Sequence, residues 1–372
     1  MKSNYKALYE LVERIDERNS DGSVTDLLGV SIDKCFIKSV ANTNGTDLTK
    51  YKVIRKDDFA VSLMQVSRDS KIPVARLDEY DKAIMSPAYP IFRVKDKKVI
   101  LPEYLDMWFK RPEFDREAAF IAVGGVRGSM PWEEFEKMQL PVPPIEEQLE
   151  IVASYKAITD RIALKRRIND NLLATTQAIY KSWFVDFEPF DNVCPSDWGN
   201  GCVDDIAEFY DSMRKPLSSL ERADMERIYP YYGAVSIVDY VDDFIFDGEY
   251  LLLSEDGIYV VDENGHPLLQ HITGKFWANN HAHILKGKSG FNEDSLYLFL
   301  ANTNMAPIVT GAAQPKINQA NLKSFPITIP TSEVIENFNA LIQPFFDQRL
   351  SNEAEVKKLE SLKDLLLSRL VN

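Results

Sequence analysis

The stretch "LPVPPIEEQLEIVASYKAITDRI", Leu140 to Ile162, carries a proline-rich strand directly into a long helical pattern. The same passage recurs near the end of the chain as "FPITIPTSEVIENFNALIQPFFDQRL", Phe325 to Leu350, with Pro143 matching Pro330 and Ile151 matching Phe338 at an offset of 187 positions. A chain that makes this transition twice at a fixed offset is built from two copies of one plan.

Both passages open with helix-start signals. Pro143-Pro144 is followed by Glu146 and Glu147, acids placed at the positive end of the helix dipole, and Thr331 or Ser332 is a plausible N-cap for the second helix. Alternating steps of four and three pick out Ile151, Tyr155, Ile158, Ile162, Lys165, Asn169, Leu172, Thr176, Ile179 and Trp183, a heptad seam with polar residues at its centre. The second helix keeps the frame from Phe338 to Leu370, with Arg349, Asn352 and Lys363 as its polar members. Each helix should run about 40 residues, or about 60 Å at 1.5 Å per residue. Pro344 should kink the first turns of the second. A generic dimerisation arm is one reading. The other is that the two seams, in one chain and one frame, pair with each other antiparallel.

The segments before the helices also match. "YKVIRKDDFAVSLM" and "FIFDGEYLLLSEDG" each read as a polar turn followed by a buried strand. "SPAYPIFRVKDKKVILPEYLDMWFK" and "ANNHAHILKGKSGFNEDSLYLFLAN" each read as strand, polar turn and short amphipathic helix. "VGGVRGSMPWEEFEKMQLPVP" and "VTGAAQPKINQANLKSFPITIP" each place a glycine turn and a polar loop before the strand that enters the long helix. The expected fold is mixed α+β. It has an N-terminal helix over 1–20, a first domain over 21–143, a long helix over 144–187, a second domain over 188–330 and a second long helix over 331–372.

The 372 residues are 45% hydrophobic and 27% charged, which suits a soluble chain of two domains. No apolar run reaches the roughly 18 residues of a membrane span, and the amphipathic, charged start lacks a signal-peptide core. Three scattered cysteines, Cys35, Cys194 and Cys202, point to a reducing cytoplasm rather than a disulfide framework. The net charge of -14 is unevenly spread: Asp21 to Met130 holds 18 Lys and Arg against 16 acids, whereas Gly201 to Pro330 holds 9 against 18.

Signatures of catalysis are absent: there is no GxxxxGK[ST] phosphate loop, no GxGxxG after a strand and no GxSxG elbow. All four histidines, His266, His271, His281 and His283, fall in the second domain. A metal centre needs a third ligand and an outer shell, so hydrogen bonding within the domain or contact with a ligand is the expected role, and no metal is expected. Glu255-Asp256-Gly257 reads as a turn after a buried strand. The remaining candidates are polar loops carrying residues that read base edges or hold phosphates. They are Gln65, Arg68 and Lys71 in "QVSRDSK", Arg127 in "VGGVRGS", Asn279, Asn280 and His281 in "FWANNHAH", and Gln314 and Lys316 in "GAAQPKIN". Arg127 and Gln314 are separated by the same 187 positions as the helices. A scaffold with two protein-binding domains on a helical rod, or a catalytic protein using the histidine-rich domain, remains open on the residues alone.

Several stretches resemble the specificity (S) subunit of type I restriction-modification enzymes. They are "IYPYYGAVSIVDYVDDFIFDGEYLLLSEDG", "GKFWANNHAHILKG", "TGAAQPKINQANLKSFPITIP" and "LPVPPIEEQLEIV" with its helix. The resemblance implies two target-recognition domains separated by two long antiparallel helices, each domain reading one half of a split double-stranded DNA target. It implies a non-catalytic chain that recruits two DNA methyltransferase subunits and motor-nuclease subunits. S-adenosylmethionine, ATP and Mg²⁺ would then belong to those partners, with no cofactor on this chain.

Overall fold

The computed structural model describes residues 4–39, 46–64, 66–124, 128–257, 260–311 and 313–370. The chain divides into two compact units, one of residues 1–164 with 355–372, the other of residues 165–354. The long helices Ile145–Phe184 and Ser332–Arg369 are each divided between the two units, the first after Leu164 and the second after Ala354. The second runs from Ser332 to Arg369 as one helix with Pro344 inside it, so the proline does not end it.

In the first unit, one four-stranded sheet has the order Val12–Ile15, Ile91–Val94, Phe59–Val61, Val74–Arg76. Its apolar face holds an aromatic core in which Phe59 and Phe92 stack with centroids 5.2 Å apart and Phe109 meets both edge-on. A second four-stranded sheet contains Phe36–Lys38, Leu27–Val30, Lys82–Met85 and Lys52–Arg55. Ile151, Val152 and Tyr155 of the first long helix pack on the same core as Leu366, Leu367 and Leu370 of the second, so the helices lie antiparallel here.

The second unit has one six-stranded sheet: Ala207–Phe209, Ala282–Gly287, Phe246–Ser254, Leu269–Ala278, Tyr229–Tyr232, Ile237–Val241. Its first four strands repeat the order of the first unit's aromatic-cored sheet. The expected polar turn in "FIFDGEYLLLSEDG" is instead continuous strand, because Gly248 takes a φ of +128° and carries the extended chain onward. In the first unit the equivalent strand is broken at Lys56–Asp58, where Asp57 adopts a left-handed φ of 68°. Trp183 and Phe184 of the first long helix meet Phe338 of the second at 5.6 and 4.8 Å, again antiparallel.

The seam's polar centre lies in the second unit and is satisfied internally. Asn352, 1% exposed, donates from Nδ2 to Asn169 Oδ1 at 2.7 Å and accepts from Lys165 Nζ and Gln348 Nε2, each at 2.9 Å.

The N-terminus departs from the expected helix over 1–20. Only Leu8–Leu11 is helical, between strands Tyr5–Ala7 and Val12–Ile15. The first strand pairs antiparallel with Gln139–Pro141, and Leu8 and Tyr9 donate their amides to the carbonyls of Met138 and Glu136. These pairings hold the segment as part of the first domain and override its helical periodicity. The second unit repeats it at an offset of 195. Gly199–Cys202 pairs with Pro326–Ile329, and helix Val203–Ile206 follows. Glu10 accepts the Ala7 amide just as Asp205 accepts that of Cys202. The repeat therefore extends through the N-terminal strands.

Candidate nucleic-acid interface

In the first unit, the loop at Gly128 approaches the segment that carries Arg68. The short helix Val66–Asp69 carries Arg68, and Gly128 sits so close that a Cβ there would lie 2.4 Å from Ser67 Oγ. Met130 donates its amide to Leu63 at 2.8 Å, tying the glycine loop to the end of the buried strand. Gln65 and Arg127 lie outside the described residues. Arg68 is exposed and bonds Asp69 at 2.8 Å, while Lys71 reaches Asp33 at 3.7 Å. Met64, Phe120 and Val123 of the same unit expose apolar side chains. A second cationic feature escaped sequence reading: Arg55, Lys56, Arg93 and Lys97 line a cleft with Asp57 and Asp58. These residues come from three separate strands and turns, so no local pattern announces them.

In the second unit the equivalent backbone tie is Ile317 N to Glu255 O at 2.9 Å. It joins "GAAQPKIN" to the end of strand Phe246–Ser254, and an isolated bridge pairs Asp256 with Lys316. Lys316, Asn279, Asn280 and His281 thereby gather around Glu255 and Asp256. Lys316 Nζ lies 2.8 Å from Glu255, and His281 Nδ1 lies 2.6 Å from Asp256. Asn279 is buried, and its Oδ1 accepts the His281 amide at 2.8 Å, so it shapes the turn that presents Asn280 and His281. Asn280, His281 and Gln314 are exposed.

Glu255, read from sequence as part of a turn, is a buried hub. It accepts from Arg214 Nη1 at 2.6 Å as well as from Lys316. Burial alone would raise its pKa, but the Lys316 and Arg214 hydrogen bonds outweigh it and hold the carboxyl below the usual range. His283 is fully enclosed, with Nδ1 on Asp211 at 2.6 Å and Nε2 on the Ile317 carbonyl at 2.8 Å. Asp211, His283 and Glu255 offer donors close enough for a metal ion. Arg214 and Lys316 already neutralise this cluster, so the set works as a salt-bridged scaffold beneath the exposed loop. Asp211 and Arg214 come from a 3-10 turn more than 40 positions before Glu255, which is why sequence pattern missed them.

The repeated strand-and-loop unit on long antiparallel helices defines a class. Over 99% of this chain the fold matches a crystallised type I restriction-modification system S subunit from M. genitalium, at a TM-score of 0.58 and 12% identity, covering 96% of that chain. Residues 195–363 match the type I restriction modification DNA specificity domain, and the chain is similar to type I restriction enzyme specificity subunits. One assigned in Haemophilus influenzae is 36% identical over 143 residues, which span 37% of this chain and 36% of that one. The MjaIX specificity subunit of Methanocaldococcus jannaschii is 23% identical over 300 residues, or 74% of this chain and 69% of that one. The chain thus spans about a third of the first relative's length and about two thirds of the second's.

Proposed function

We propose that this chain is the DNA sequence-specificity subunit of a type I restriction-modification assembly. Each domain reads one half of a bipartite double-stranded target, and the long helices recruit two methyltransferase subunits and the motor-nuclease subunits. The observation that carries this reading is the duplication. One strand order, one backbone tie beneath the polar loops and one N-terminal pairing occur in both units, as two readers of two half-sites require. The family match over residues 195–363 favours DNA over a protein-binding scaffold. The chain itself is non-catalytic and cytoplasmic. S-adenosylmethionine, ATP and Mg²⁺ act on the partner chains.

Gln65, Arg68, Lys71 and Arg127 form the contact loop of the first domain. Asn279, Asn280, His281, Gln314 and Lys316 form that of the second. Arg68, Lys71 and Lys316 sit against acids in the free chain, so phosphate or base contacts exchange one partner for another rather than neutralising free cations. The expected affinity is therefore salt-dependent, with a modest slope for so acidic a chain. Genomic methylation mapped in cells with and without the chain tests the reading. A bipartite motif lost on deletion is the expected result; an unchanged methylation pattern alongside active methyltransferase subunits contradicts it.

A further inference from the structure

A second cluster of donors lies away from the loops, where helix Glu293–Ala301 meets the six-stranded sheet. His271 stands opposite Leu251 in the strand pair, and Glu249 is its diagonal neighbour on the same face. Asp294, in the first turn of the helix, faces the same imidazole. One donor atom each from Glu249, His271 and Asp294 can be chosen so that all three lie within 4.8 Å.

The two nitrogens of His271 are held differently. Nε2 is 2.6 Å from Glu249 Oε1, a short hydrogen bond. Nδ1 is 3.6 Å from Asp294 Oδ1, beyond hydrogen-bond reach. Asp294 has 4% of its side chain exposed, and its Oδ1 is buried with no hydrogen-bond partner. A buried, unpartnered carboxylate oxygen is costly. The contrast with the Asp211, Glu255 and His283 cluster is instructive, because there Arg214 and Lys316 supply the compensating charge. Among the described residues no lysine or arginine forms an ion pair with Glu249 or Asp294; Lys286 lies 4.0 Å from the neighbouring acid, Glu293.

We propose that His271 and Asp294 bind a divalent cation of the zinc type, with Glu249 orienting the imidazole from behind. Zn–N and Zn–O bonds of about 2.0–2.2 Å place two ligands of a tetrahedral ion about 3.4 Å apart, close to the Nδ1 to Oδ1 gap. Glu249 on Nε2 supplies the carboxylate–histidine–metal arrangement that fixes the tautomer. Water completes the coordination. The ion pins the N-terminus of helix Glu293–Ala301 to the sheet, a structural role independent of DNA reading.

The test is calorimetric titration of the full-length, chelator-dialysed chain with ZnCl₂, and with MgCl₂ for comparison. One zinc should bind per chain, raising the thermal midpoint. Asp294→Asn and His271→Gln should each weaken binding tenfold or more, and Glu249→Gln by about 10–100-fold. Magnesium, which prefers six oxygen ligands, should bind far more weakly. Far-UV circular dichroism checks that each variant is folded, and Glu249→Gln, altering the most exposed group, serves if the buried substitutions unfold the domain. No zinc uptake by the wild-type chain overturns the proposal. So does equal uptake by folded Asp294→Asn, which would place the ion on the scattered cysteines or other histidines.

Discussion

Lys316 is held by Glu255 at 2.8 Å, and the pair is joined by Arg214 on the other carboxylate oxygen. Any DNA group that claims Lys316 must draw it from this carboxylate, and Arg214 remains to compensate the acid left behind. Lys316→Ala should therefore leave the domain folded. It should weaken DNA binding by about 1–3 kcal/mol if the lysine touches a base, or lower the salt slope by about one if it touches phosphate. Measuring binding across a salt series decides it: if neither quantity moves, the lysine serves Glu255 alone. The loop residues Lys316, Asn280 and His281 were legible in the sequence because they are polar types in a repeated place. Their supports were not. Asp211, Arg214 and His283 reach the loop through pairings of strands and turns far apart in the chain, and no spacing reveals which acid a given cation will meet.

At the level of elements, the long helices were legible because a heptad rhythm sustained over about forty positions specifies a long helix with an apolar seam. The N-terminal segment misled for the same reason. Ala7, Leu8, Leu11 and Val12 are spaced like a helical face, yet the backbone of Tyr5–Ala7 finds its partner in Gln139–Pro141, which local pattern cannot show. Within the helix pair, the network that half-buried Asn169 and Lys165 make with buried Asn352 is the element that sets register, since a polar layer is satisfied only when its members face each other. Asn352→Leu removes the amide that Asn169 Oδ1 accepts from and the oxygen that Lys165 Nζ donates to, and should cost about 1–3 kcal/mol. Replacing Asn169 and Asn352 together by leucine should recover most of that loss. Urea unfolding of the two variants checks this, and a single variant as stable as the wild type would show that the network does not hold the seam.

For the molecule as a whole, the account rests on two readers carried in one chain. The first domain begins at its N-terminal strand, not at residue 21, because Tyr5–Ala7 closes the domain against the strand that enters the long helix. A modular exchange must therefore carry residues 5–142 together; a graft starting at residue 21 would separate paired strands. The most direct measurement replaces residues 5–142 with the corresponding domain of another specificity subunit and maps the methylated motif of the assembled enzyme. The account predicts that one half of the bipartite target changes to that of the donor while the other half is retained. A change in both halves, or in neither while methylation persists, would contradict it.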